Sequence, residues 1–203
     1  EAYGMTEAAH QMASNPLPPK KQKAGFVGIP SGPKICIMNN KNKVLKNGEI
    51  GEICIKGENV TSGYENNSKA NEASFVNGWF KTGDEGFFDN EGYLKISGRI
   101  KEIINKGGEK ISPLEVDNVL MFHPLIEQVV CFGFKDKMLG EDIAAAIVIE
   151  KDKICTELNI KQYAQEKLAK FKIPKKIFFV DEIPKGSTGK LQRIGLAKKF
   201  GLE

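Results

Sequence analysis

Gly98-Arg99-Ile100-Lys101-Glu102 is where the character of this 203-residue chain changes. Upstream lie short β-rich runs broken by turn residues. Residues 34–38 and 50–56 flank Asn47-Gly48, a hairpin-type signal. A polar stretch over 65–72 leads into a short helix. Trp79-Phe80 and Phe87-Phe88 then bracket an expected turn at Thr82-Gly83-Asp84, and Asn90-Glu91-Gly92 forms another turn before a strand at Tyr93-Leu94-Lys95-Ile96.

Downstream, helices alternate with strands. Ser112-Pro113-Leu114-Glu115 has the order of a capping box, with serine at the cap and proline at the first helical position. Leu114, Val119 and Leu120 place an amphipathic helix to about Phe122. Strands are expected over 129–134, 143–149 and 176–180, and helices over 157–170 and 191–200. The fold class is therefore α+β: a β-rich segment, a sheet or small barrel layer, over residues 1–99, then a small α+β domain over 100–203.

Composition narrows the class further. A hydrophobic content of 40% can build an ordinary core, and 28% charged residues suit a soluble chain. No apolar run approaches the roughly 18 residues of a membrane span. The net charge of +4 is concentrated at Lys20-Lys21-Gln22-Lys23, over 167–176 and at Lys198-Lys199. These clusters read either as solvated surface or as a guide for an anionic nucleotide or coenzyme A. No basic stripe interleaves with aromatics, which argues against nucleic acid. With four cysteines, no C-x-x-C pair and two histidines, a zinc site is not expected. Cys36, Cys54 and Cys131 sit in apolar runs and read as buried thiols of a reducing, cytoplasmic compartment.

Four short motifs carry chemistry. Tyr3-Gly4-Met5-Thr6-Glu7 offers an aromatic face for adenine, a hydroxyl for phosphate and a carboxylate for magnesium; an exposed turn fits the same residues. Gly78-Trp79-Phe80-Lys81-Thr82-Gly83-Asp84 ends on a carboxylate able to accept both ribose hydroxyls, or merely to cap a turn. Gly98-Arg99-Ile100-Lys101-Glu102 and Gly107-Gly108-Glu109 combine a permanent cation with two glycines free to adopt positive φ; a charged hairpin reads the same way. Pro184-Lys185-Gly186-Ser187-Thr188-Gly189-Lys190 is not a P-loop, because Pro184 and Leu191 replace the required glycine and hydroxyl residue. It reads as a loop presenting Lys190, either to a phosphoryl group in transfer or to solvent.

Together these motifs resemble, in order and close to spacing, the adenylate-forming acyl-CoA synthetase superfamily. Gly51-Glu52-Ile53-Cys54-Ile55-Lys56-Gly57 through Gly63-Tyr64 matches a fifth, mainly structural motif. The resemblance covers nearly the whole chain and implies the end of a large N-terminal AMP-binding domain followed by a mobile C-terminal domain. It implies ATP and Mg2+ as cofactors and coenzyme A as co-substrate. A carboxylic acid is adenylated with release of pyrophosphate, and the thiol then displaces AMP. By the same resemblance, Glu1, Ala2, Tyr3, Gly4 and Thr6 border the nucleotide and Glu7 binds the metal. Asp84 and Arg99 hold ribose, Lys101 is the hinge, and Asn105, Gly107 and Gly108 line the coenzyme A tunnel. Lys190 is the catalytic lysine of adenylation, acting with Thr6 and Glu7. Gly186 departs from the threonine common in relatives and loosens that loop. The upstream phosphate loop and most of the acyl pocket are not in the sequence, so the 203 residues alone are expected to be inactive.

The run from Met5 through His10 to Pro19 resembles the oxalate-CoA ligase branch within the coumarate-CoA ligase-like enzymes. His10 follows the nucleotide motif where the chain borders the acyl pocket. It can pair with the second charge of oxalate or another small dicarboxylate, or serve as a structural histidine. His123, beside Pro124, reads as structural. Other readings stay open: a ligase of medium-chain or aromatic acids, an amino-acid adenylation domain that loads a carrier protein, or a structural domain without activity of its own.

Overall fold

The computed structural model describes residues 1–186, 189 and 191–202. The chain divides into two compact units, Glu1–Ile100 and Lys101–Glu203. No helix among the described residues is long and apolar enough to cross a membrane.

The first unit holds two open antiparallel sheets, a sheet layer without a closed barrel. One contains β1 (Ala2–Met5), β2 (His10–Ser14) and β3 (Ile29–Pro30) in that order. The other is built on β4 (Lys34–Met38), β5 (Gly51–Lys56) and a long β7 (Trp79–Phe88). Strand β7 also carries β6 (Phe75–Val76) and β8 (Leu94–Arg99), and α1 (Ser68–Ser74) precedes β6. Tyr3, Met12, Ile37, Ile53, Ile55, Phe80 and Leu94 share one core between the sheets.

The expected turn at Thr82-Gly83-Asp84 is instead a bulge inside β7. Glu52 faces Glu85 and Cys54 faces Lys81, so three residues of β7 stand opposite Ile53 alone. Gly83 takes φ +74, which a side chain would disfavour, while the Thr82 hydroxyl donates to the Ile53 carbonyl at 2.8 Å. A bulge borrows turn residues without reversing the chain, which is why the sequence pattern misleads here.

In the second unit, β11 (Ile126–Asp136) and β12 (Gly140–Ile149) form the central antiparallel pair. Strand β12 is flanked on its other side by β13 (Lys176–Phe179), in parallel, and by the hairpin β9 (Ile104–Lys106) and β10 (Glu109–Ile111). Period-two alternation sends Val129, Cys131, Ile143, Ala145 and Ile147 to one core, with Val116, Leu120, Ile160 and Ala164 of helices α2 (Pro113–Leu120) and α3 (Glu157–Lys167). Val130, Phe132, Ala144 and Ala146 go to the opposite core, with Leu196 of α4 (Leu196–Lys199). Burial on both faces explains the uninterrupted apolar run over 143–149.

Three expectations for this unit need correction. Helix α2 starts at Pro113, but Ser112 does not cap it: its hydroxyl is buried with no hydrogen-bond partner among the described residues. Glu115 turns instead to Lys172, 2.6 Å away, and the buried face is Val116, Asp117 and Leu120, with Leu114 exposed. The reciprocal capping box sits on α3, where Thr156 and Asn159 exchange side-chain-to-backbone bonds of 3.3 and 3.0 Å. That helix is shorter than expected and leaves Leu158 exposed. The closing helix is confined to Leu196–Lys199, because Gly195 takes φ +89 and Leu191 pairs with Lys185 instead. The unsatisfied Ser112 hydroxyl makes Ser112→Ala a stabilising change. Urea denaturation should show a gain of about 1 kcal/mol, since no bond is lost and a buried polar group is removed.

All four cysteines are free thiols; Cys54 and Cys131 are buried, whereas Cys36 is only half-buried. Burial pushes the Cys36 and Cys54 thiols up to about 11 and about 12, so both stay protonated at neutral pH. His123 is structural: it is buried, Nδ1 accepts from the Leu125 N–H at 3.2 Å, and its ring packs edge-on against Tyr163.

Candidate active site

The bulge in β7 determines where Asp84 points. Its N–H donates to the Thr82 hydroxyl at 3.1 Å, and its carboxylate is 5% exposed. Two of the four sequence motifs meet a third on that carboxylate. The Tyr3 hydroxyl, 81 residues away in sequence, donates to Oδ2 at 2.5 Å, and Arg99 Nε lies 2.9 Å from Oδ1. Arg99 reaches it because β8 pairs with β7 so that Arg99 stands directly opposite Asp84, just beyond a one-residue register shift between Glu85 and Gly86. Burial, then the Asp84 charge and bond, push the Tyr3 phenol well above the ordinary tyrosine range, so it remains a donor. The Tyr3 ring itself is largely buried in the core of its unit.

Beyond Tyr3 the chain makes a tight excursion. Residues 6–8 form one 3-10 turn, followed by Ala9 and His10 at φ 48 and 82. Two consecutive non-glycine residues in the left-handed region hold local strain. Gly4 is required where β1 passes this excursion, since a Cβ there would run into the His10 carbonyl. The His10 side chain and Thr6 are exposed, and Glu7 is half-buried. Glu7 is held from two directions: Tyr64 donates its hydroxyl to Oε1 at 3.0 Å, and the Thr61 N–H donates to its carbonyl at 2.7 Å. Glu1 and Ala2 are exposed; the Glu1 carboxylate accepts from Gly25 N–H at 3.0 Å, and Ala2 pairs with Ser14.

In the second unit, Gly107 and Gly108, at φ 59 and 93, form the two-residue turn of the β9–β10 hairpin, the geometry of a type I′ turn. Asn105 is exposed and its N–H donates to Glu141 at 2.6 Å. Lys106 forms an ion pair with buried Asp142 at 2.5 Å. Lys101 is exposed in the 3-10 turn Ile100–Glu102. Lys190, with Ser187 and Thr188, lies outside the described residues. The segments on either side are tied together: Lys185 pairs with Leu191, and the Gln192 N–H donates to the Pro184 carbonyl at 2.8 Å.

Sequence reading missed Tyr64 and Thr82 as supports of the site, and Tyr3 as a donor to Asp84. Tyr64 stood in a motif read as structural. Its bond to Glu7 spans 57 residues, and no local periodicity reports such a contact. The lysine clusters are partly neutralised: Lys21 pairs with Glu91, Lys23 with Asp89, Lys172 with Glu115 and Lys175 with Asp136.

Residues 1–65 match the profile of the AMP-binding enzyme family, and residues 115–190 that of the AMP-binding enzyme C-terminal domain. The oxalate–CoA ligase of Saccharomyces cerevisiae is 50% identical over 202 residues, which cover 98% of this chain and 37% of the yeast protein. The Arabidopsis thaliana oxalate–CoA ligase is 50% identical over 201 residues, covering 98% of this chain and 39% of the plant protein. Among solved structures, the o-succinylbenzoate coenzyme A synthetase of Bacillus subtilis, in complex with ATP and magnesium, superposes with a TM-score of 0.83 at 40% identity. That match covers 95% of this chain and 40% of the synthetase. The chain thus spans about two fifths of the length of the relatives it matches.

Proposed function

As the chain belongs to the AMP-binding enzyme family, we propose that the full-length protein is an AMP-forming acid–CoA ligase acting on oxalate or another small dicarboxylate. The observation that carries this reading is the convergence of Tyr3 and Arg99 on the buried Asp84 carboxylate, a preset acceptor for the ribose hydroxyls of a nucleotide. In the first half-reaction a carboxylate oxygen attacks the α-phosphorus of ATP and the bond to pyrophosphate breaks. In the second, the coenzyme A sulfur attacks the acyl carbonyl, the thiol proton is lost and AMP leaves.

Each residue has a role in this scheme. Asp84 is acceptor-only when ionised, so it can accept hydrogen bonds from both ribose hydroxyls once a nucleotide arrives, with Arg99 holding the carboxylate in place. Thr6 offers a hydroxyl to phosphate beside the backbone of Glu1, Ala2 and Gly4. Lys190 supplies positive charge where it develops negatively during adenylation. Asn105, Gly107 and Gly108 border the path of the pantetheine arm. Lys101, at the junction of the two units, is the hinge.

The residues present fit magnesium. Glu7 is a hard oxygen donor oriented by Tyr64, and magnesium commonly takes one or two carboxylates together with substrate phosphates. Bound there, the ion would neutralise charge on the phosphates of ATP.

For the acid, the reading rests on His10. Its backbone is held at φ 82 in the excursion that follows the nucleotide motif, and its side chain is exposed there. An imidazolium can pair with the second carboxylate of a dicarboxylic acid, whereas a fatty or aromatic acid asks for an apolar wall. A panel of acids on the full-length enzyme, scored by AMP release, tests this. Oxalate should exceed hexanoate and coumarate by at least about ten-fold in kcat/KM. A faster hexanoate or coumarate reaction would reject the role of His10, while AMP release from this 203-residue chain alone would reject the need for further sequence.

A further inference from the structure

We propose that Arg193 is a positioning residue, locking the stem of the Lys190 loop to the segment just past the Lys101 hinge. This rests on the roles of Lys190 and Lys101 given above. The Arg193 side chain is 14% exposed, and each of its three nitrogens donates. Nε donates to Glu102 at 2.7 Å, Nη2 to Asp117 at 2.8 Å, and Nη1 to the carbonyl oxygen of Cys131.

Part of this arrangement is architectural. Among the described residues, strand β11 forms the outer edge of its sheet, next to β12. Cys131 turns both of its backbone groups away from that neighbour. Its N–H goes to Asp117 Oδ1 at 2.6 Å and its carbonyl to Arg193. Asp117 and Arg193 therefore satisfy an edge that would otherwise be open.

Edge cover does not account for the third bond. Glu102 follows Lys101 directly in the 3-10 turn Ile100–Glu102, and its contact with Arg193 joins residues 91 apart in sequence. On the other side, Arg193 lies three residues past Lys190, in a stem closed by the Lys185–Leu191 bridge and the Gln192–Pro184 bond. A guanidinium is planar and its donors are fixed in a fork, so three partners define its orientation as well as its position. The hinge-flanking turn, the sheet edge and the lysine-bearing stem are thereby held as one body. A lysine needed in one half-reaction benefits from such a mounting, because a misplacement near 1 Å can cost a factor of about one hundred.

The test uses the full-length enzyme with Glu102→Ala, which removes the acceptor of Arg193 Nε, and Arg193→Lys. ATP–pyrophosphate exchange, thioester formation from preformed adenylate, and Tm are measured for each. Both variants should slow exchange roughly ten-fold at saturating ATP, with the KM for ATP and the thioester half-reaction within about two-fold of wild type. Glu102→Ala leaves the Arg193 bonds to Asp117 and Cys131 in place, so it decides the matter if Arg193→Lys fails to fold. Folded variants with normal exchange, or with equal loss in both half-reactions, would overturn the proposal. Lys190→Ala serves as the reference. If it is selective for exchange and the two variants are not, only the role of Arg193 fails. If Lys190→Ala slows both halves equally, the reading of Lys190 fails and this role goes with it.

Discussion

On the proposed function, Lys190→Ala in the full-length protein should lower ATP–pyrophosphate exchange by about 10²–10³-fold, the usual cost of removing one preset charge or donor from a developing anion. Thioester formation from preformed acyl-adenylate stays within about two-fold of wild type, because the α-phosphate is already esterified and no charge grows on a departing pyrophosphate. The contrast between half-reactions is the informative quantity. A lysine that merely tightened ATP binding would raise KM and leave exchange at saturating ATP unchanged. A lysine needed for folding would depress both halves together. Arginine at position 190 keeps the charge but carries it on a wider, planar head, so it should recover only part of the lost exchange.

Asp117→Ala is the second large effect, and it acts on stability. Asp117 is buried on α2 and holds both Arg193 and the N–H of Cys131. Burial pushes its carboxyl above the ordinary range, although Arg193 and the Cys131 bond pull it down. For the ionised carboxylate, desolvation thus outweighs the attraction to Arg193, so the intact pair is not a source of large net stability. Removing one partner is different, because a largely buried guanidinium and a strand-edge N–H lose their acceptor. The expected cost is about 3–5 kcal/mol, toward the lower end because Glu102 still holds Arg193 Nε. In a unit of this size that lowers Tm by on the order of 10 °C or more. Asp117→Asn keeps an acceptor for Cys131 and should cost clearly less. Thermal unfolding of the two variants side by side checks the argument; an Asp117→Ala cost below about 1 kcal/mol would mean that Arg193 finds solvent or another acceptor.

Legibility followed the range of each interaction. The β4–β5 pair, α1 and the strands over 129–134 and 143–149 were readable because their signals are local: turn chemistry and apolar runs. The Ser112 cap was misread because Glu115 has a better partner in Lys172, 57 residues away. The closing helix was overextended because Leu191 pairs backward with Lys185, a choice invisible to helical periodicity. At the site, the motif residues could be named from their types and order. Their mutual contacts could not, since the Tyr3–Asp84 and Tyr64–Glu7 bonds join distant segments.

The α+β class and the change of character around residue 100 were legible from the sequence alone, because residue type, period and turn preference act over a few neighbours; the residues put forward for nucleotide, metal and coenzyme A came from the order of the motifs and their resemblance to a family. That Thr82-Gly83-Asp84 is a bulge rather than a turn, that Asp84 is shared by Tyr3 and Arg99, and that Arg193 ties Glu102 to Asp117 and the edge of β11 emerged only from the folded chain. A bulge exists only relative to a partner strand, and a buried charge must find its counterion wherever packing brings one. Both are settled by the folded chain as a whole.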